Sequence, residues 1–145
     1  MGVPLDPAAL RHVPLFGSLS DEELGALAPL FNELSFTLGH KITTEGRPGF
    51  GFFVIESGTA KVTVHGEERA ALGPGSYFGE IALLDEDGTR AATVTTESEV
   101  TAHVLSGREF RPLVQGNPEL AWSLLQGLWR MLGREDEPLS PPPAD

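Results

Sequence analysis

A chain of 145 residues with 40% apolar content suits one domain with a sizeable core. A formal net charge of −11 repels polyanions, and no basic stripe runs along the sequence, so direct nucleic-acid binding is not expected. With no cysteine there is no disulfide, no thiolate catalysis and no common structural zinc site, and no apolar run approaches the ~18 residues of a membrane span.

Residues 1–12 lack the basic start and apolar stretch of a signal peptide, which makes the cytoplasm the expected location and a membrane partner unexpected. Leu15-Phe16-Gly17-Ser18-Leu19 leads into Ser20-Asp21-Glu22-Glu23, a capping box whose hydroxyl and carboxylate can satisfy orphan N–H groups, so a helix is predicted to start at Asp21. Leu24, Leu27, Ala28, Leu30 and Phe31 then recur at helical spacing and form one apolar face for packing.

The texture changes to short alternating segments at 35–38, 52–55, 60–64, 69–72, 92–95 and 100–105, which read as strands. Gly39, Gly46-Arg47-Pro48-Gly49, Ser57-Gly58, His65-Gly66 and Gly73-Pro74-Gly75 supply the turns between them. The predicted fold is mainly β with flanking helices: a closed antiparallel β-roll, a jelly-roll-like barrel, with an N-terminal helix and C-terminal helices. Alternate strand residues face inward in such a roll, and Val62 and Val64 are read as core.

Ser106 can cap a short helix through residue 114, and Asn117-Pro118 is a second start signal, with Asn as N-cap and Pro in the first helical position. The final helix is predicted to reach Leu132. Its apolar residues, among them Leu120, Trp122, Leu125 and Trp129, cover more than one stripe and require a second covering surface. After Gly133 the acidic Arg134-Glu135-Asp136-Glu137-Pro138 run cannot continue as an apolar coiled coil, which favours a monomer or weak homodimer. The predicted organisation is a single domain over 1–134 and an acidic, proline-rich disordered tail over 135–145.

Chemistry concentrates in residues 75–96, GSYFGEIALLDEDGTRAATVTT. A bound phosphate needs a fixed cation, exposed N–H groups and little bulk. Arg90 supplies a planar, permanently charged fork that can bond two phosphate oxygens. Glu80, an acceptor when ionised, suits a hydroxyl donor such as a ribose 2′-OH. Gly79, Ala82, Ala91 and Ala92 leave room for a ligand, and a helical turn at 81–84 would aim free N–H groups at the negative charge. Asp85, Glu86 and Asp87 oppose an anion unless they face solvent.

The order Phe78-Gly79-Glu80-Ile81-Ala82-Leu83 followed by Arg90-Ala91-Ala92-Thr93-Val94, preceded by the Leu72-Gly73-Pro74-Gly75 turn, closely resembles the phosphate-binding cassette of the cyclic-nucleotide-binding domain family, of the catabolite activator and kinase regulatory subunit type. The resemblance covers roughly 12–134 and implies a sensor domain: Glu80 on the ribose 2′-OH, Arg90 on the cyclic phosphate, and the backbones of Gly79, Ile81, Ala82 and Ala91 completing the cradle. It also implies that the final helix closes over the purine or forms a dimer seam, with Trp122 or Trp129 against the base or another subunit. Ala91 lacks the hydroxyl that often favours the guanine nucleotide, so the expected ligand is cyclic AMP, with cyclic GMP second. An effector protein is the further partner implied.

Two alternatives stand beside this reading. One is the same fold kept as a protein interaction module without nucleotide, which is expected when the arginine or glutamate is lost; both residues are present. The other is a cupin-like metalloenzyme. His12, His40, His65 and His103 are scattered without a His-x-His pair and are read as surface or turn residues, and no nucleophile elbow accompanies Ser76. The chain is therefore not expected to be an enzyme or to carry a metal or other cofactor.

Overall fold

The computed structural model describes residues 4–49, 51–79, 83 and 88–131, and the chain forms two compact units. One contains Leu30–Arg111; the other joins Leu5–Pro29 to the chain from Pro112 onward.

In the discontinuous unit, 3-10 turns at Pro7–His12 and Pro14–Phe16 precede helix α1, Asp21–Leu27. The capping box forms as expected: Ser20 Oγ accepts from Glu23 N at 3.1 Å, and Ser20 N donates to Glu23 Oε1 at 2.9 Å. The apolar face anticipated through Phe31 is shorter as a helix, because Pro29 has no N–H to continue it and the chain tightens into a 3-10 turn at Ala28–Leu30. Leu24, Leu27 and Ala28 are buried nonetheless.

Helix α2 spans Gly107–Gln115, and helix α3 spans Pro118–Met131. Both begin where their caps predict. Ser106 Oγ accepts from Glu109 N at 3.2 Å, and Asn117 Oδ1 accepts from Leu120 N at 3.1 Å. Ser123 Oγ on α3 donates to Glu23 Oε1 at 3.2 Å, so one carboxylate oxygen serves both the α1 cap and α3. Gly127 permits a closer approach still: a Cβ there would fall 2.4 Å from Leu15 O. Arg130 donates to Ser18 Oγ. Leu10, Leu15, Phe16, Leu120 and Leu124 are buried in this unit, whereas Trp122 and Trp129 are half-buried and Leu125 is exposed. Leu132 and the 135–145 tail lie outside the described residues.

Among the described residues, the continuous unit carries eight strands: β1 (Asn32–Phe36), β2 (Lys41–Thr43), β3 (Gly51–Ser57), β4 (Ala60–Val64), β5 (Glu67–Leu72), β6 (Tyr77–Phe78), β7 (Thr93–Thr96) and β8 (Val100–Ser106). They form two four-stranded antiparallel sheets, ordered β1-β8-β3-β6 and β2-β7-β4-β5. Phe53, Ile55, Ala60, Val94, Val100, Ala102 and Val104 form the buried layer between them, with Phe36, Ile42, Val62, Leu72 and Phe78 packed around it. Val62 is thus core, as read from alternation.

Three details depart from the sequence reading. The strand expected at 35–38 lies earlier, at Asn32–Phe36, and Leu38 beyond it is 67% exposed. The short β2 and β6 were not anticipated, since three and two residues are too few to display a period. His103 is not a surface or turn residue: it lies buried within β8, with Nε2 3.1 Å from Glu56 Oε2. Most of β8 is buried, so this strand hides its polar member too and satisfies it by a side-chain partner.

Gly25 is exposed in α1 with no heavy atom near a Cβ built on it and no left-handed φ. Gly25→Ala is expected to stabilise the chain by about 0.5–1 kcal/mol through lower backbone entropy in the unfolded state, read as a rise in the urea midpoint.

Candidate functional site

The site is assembled from backbone before any side chain is placed. Segment 89–93, leading into β7, is fastened to the loop after β2. Arg90 N donates to Arg47 O at 2.8 Å, Gly46 N donates to Arg90 O at 2.9 Å, and Pro48 bridges Thr89. Two threonines extend the seam: Thr43 Oγ1 donates to Ala92 O at 3.2 Å, and Thr93 Oγ1 accepts from Glu45 N at 2.9 Å. Gly46 turns this loop with φ of 81°, a region open to glycine at little cost. Arg90 therefore leaves a backbone held on both sides.

A second piece of scaffold comes from β6. Phe78 stacks on Phe53 of β3, ring centroids 4.8 Å apart at 8°, while Tyr77 and Phe78 pair with Val54 and Phe53. The preceding turn is closed by Gly75 N to Ile55 O and Ile55 N to Ser76 O, both 2.8 Å. The chain leaves β6 at Gly79 with φ of 86°.

Arg90 lies between these pieces. Its Nη2 donates to Gly51 O, at the start of β3, at 2.6 Å. Two glycines form the walls. A Cβ at Gly79 would fall 2.2 Å from Arg90 Nη1, and one at Gly49 would fall 1.6 Å from Arg90 Nε. The guanidinium thus packs against bare backbone, and its five donors keep the fixed fork geometry suited to an oxyanion.

The structure brings together Gly79 and Arg90 of the residues singled out by sequence. Ala91 follows Arg90 and is exposed. Glu80, Ile81 and Ala82, and the acidic Asp85, Glu86 and Asp87, lie outside the described residues; Leu83, between them, is fully buried. Gly49, which read as a turn residue, and Gly51, which the sequence reading assigned to no element, are site residues that the sequence did not reveal. The spacing of glycines at 46, 49 and 51 was the available signal, but it marks a turn equally well. Among the described residues, no group of three or more His, Asp or Glu side chains gathers in metal-binding geometry, and no helix is long and apolar enough to cross a membrane.

Residues 33–117 match the cyclic nucleotide-binding domain family. The cAMP-dependent protein kinase regulatory subunit of Emericella nidulans is 38% identical over 109 residues, covering 74% of this chain and 26% of that protein. The CRP-like cAMP-activated global transcriptional regulator of Mycobacterium tuberculosis is 29% identical over 136 residues, covering 90% of this chain and 60% of that protein. This chain therefore spans less than two thirds of the length of either. Among solved structures, the N-terminal domain of a transcriptional regulator from Streptomyces coelicolor A3(2) superposes with a TM-score of 0.75 at 31% identity, over 92% of this chain and 99% of that one.

Gly79 carries both a left-handed φ and a backbone obstacle, since a Cβ added there would lie 2.7 Å from Gly51 O. Gly79→Ala is expected to cost about 1–3 kcal/mol of stability, measured as a lower urea midpoint with unchanged slope.

Proposed function

The chain belongs to the cyclic nucleotide-binding domain family, and on that premise we propose that it is a cyclic AMP sensor domain in which Arg90 holds the cyclic phosphate and Glu80 the ribose 2′-hydroxyl. The observation that carries this reading is the seating of Arg90: a half-buried guanidinium, held by Gly51 O and flanked by Gly49 and Gly79, within the segment whose residue order matches the cassette. A flexible surface arginine would lose side-chain entropy on grasping an anion; one already packed loses less.

In this reading the roles divide by chemistry. The guanidinium offers parallel N–H donors to two phosphate oxygens, the ionised Glu80 accepts from the sugar hydroxyl, and the backbone N–H groups of Gly79, Ile81, Ala82 and Ala91 take the remaining oxygen lone pairs. The missing hydroxyl at Ala91 favours the adenine nucleotide over the guanine one. The chain performs no chemical step: binding shifts a conformational equilibrium, the cassette draws in around the phosphate, and α3 changes the surface it offers to an effector protein in the cytoplasm. Two relatives named for cAMP support the choice of ligand.

Isothermal titration with cyclic AMP, cyclic GMP and linear AMP tests the reading. One saturable site that prefers cyclic AMP is expected. Arg90→Ala removes charge-assisted bonds and is expected to weaken binding by about tenfold to a hundredfold, roughly 1.5–3 kcal/mol. A folded chain that binds no nucleotide would instead indicate an interaction module, and unchanged affinity in Arg90→Ala would remove Arg90 from the site.

A further inference from the structure

Gly49 stands out among the glycines around Arg90 because its backbone does not explain it. Gly46 and Gly79 have φ of 81° and 86°, where a side chain is strained whatever the space. Gly49 has no such φ; what it lacks room for is the side chain itself. A Cβ there would fall 1.6 Å from Arg90 Nε, 2.2 Å from Cζ and 2.3 Å from Nη2. All three atoms belong to the outer half of one side chain.

We infer that Gly49 is a positioning residue for Arg90: its bare Cα is the surface that sets where the guanidinium lies and which way its fork points. This rests on the reading of Arg90 as the phosphate-binding group. The physical choice on adding a methyl is between moving the loop and moving the arginine. The loop is held, since Arg47 O and Gly46 N are both bonded to Arg90's own backbone and Pro48 bridges Thr89. The guanidinium is held by its bond to Gly51 O and by packing, and its side-chain torsions offer other staggered positions. It is therefore the guanidinium that gives way. Displacing it breaks the Nη2–Gly51 O bond and turns the fork, and a bidentate contact tolerates little misalignment. Gly79 differs in this respect, because a Cβ there also meets backbone at Gly51 O.

The test uses the full chain as wild type, Gly49→Ala, Arg90→Ala and the double variant, each titrated with cyclic AMP and melted. Gly49→Ala is expected to melt close to wild type and to bind about tenfold or more weakly. In the Arg90→Ala background the same substitution is expected to have no further effect, because its influence passes through the guanidinium. Wild-type affinity in Gly49→Ala would overturn the inference, as would an equal loss in both backgrounds, which marks a general disturbance of the loop. A ligand-free readout separates this from failure of the sensor reading. Arg90 Nε is shielded from solvent, so its N–H resonance should exchange slowly in the wild type and faster in Gly49→Ala. Identical exchange in both would overturn the positioning role even if the wild type bound no nucleotide.

Discussion

A guanidinium packed against bare backbone is the constraint around which this site is organised. Arginine needs a partner for its charge and room for its plane, and here the room comes from two positions without a Cβ, Gly49 and Gly79, while Gly51 contributes a carbonyl oxygen. Each of these positions is supplied by a different piece of scaffold. The loop carrying Gly49 is fastened to Arg90's own strand extension, Gly51 opens β3, and Gly79 leaves β6, which is itself anchored by the Phe78–Phe53 stack. Precision at the cation thus derives from both sheets, since Arg90 leads into β7 of one while Gly51 and Gly79 belong to β3 and the end of β6 of the other.

The charge distribution accords with a small ligand. With 21 acidic against 10 basic residues, the chain is poorly suited to any extended polyanion. A cyclic phosphate asks for much less, a single fork and a few N–H groups. At physiological salt the field of distant carboxylates is damped beyond about 8 Å, so local geometry decides the outcome. A net acidic composition is compatible with one bound phosphate and unfavourable for an extended polyanion.

Much of the fold was legible because its signals are local. Ser20 with Glu23, Ser106 and Asn117-Pro118 each announced a helix start, and each forms the cap hydrogen bond its residue type predicts. Strand β4 was delimited by glycine turns and alternation. What escaped lacked a period or depended on distant partners. Strands β2 and β6 are too short to alternate, and burial of His103 depends on Glu56 in another strand. In the site, Arg90 was legible from residue order and charge type. Gly49 was not, because a glycine that makes a turn and a glycine that makes room for a side chain 41 positions later look alike in one dimension.

The dual use of Glu23 has a consequence for how the molecule is made. Its Oε1 closes the cap of α1 and also accepts from Ser123, one hundred positions later, in a unit built from two stretches separated by Leu30–Arg111. Those contacts have high sequence separation, and the loop entropy of bringing the stretches together must be overcome before they stabilise anything. During synthesis the early helical stretch emerges before α3, the helix that packs on its Pro14–Phe16 turn. Leu30–Arg111 is the chain between the two stretches, so its compaction shortens the loop that must be closed. Assembly of the discontinuous unit therefore needs α3, and a chain interrupted before it would leave the Pro14–Phe16 turn, with Leu15 and Phe16, without the helix that packs on it and open to the chaperones that survey nascent protein.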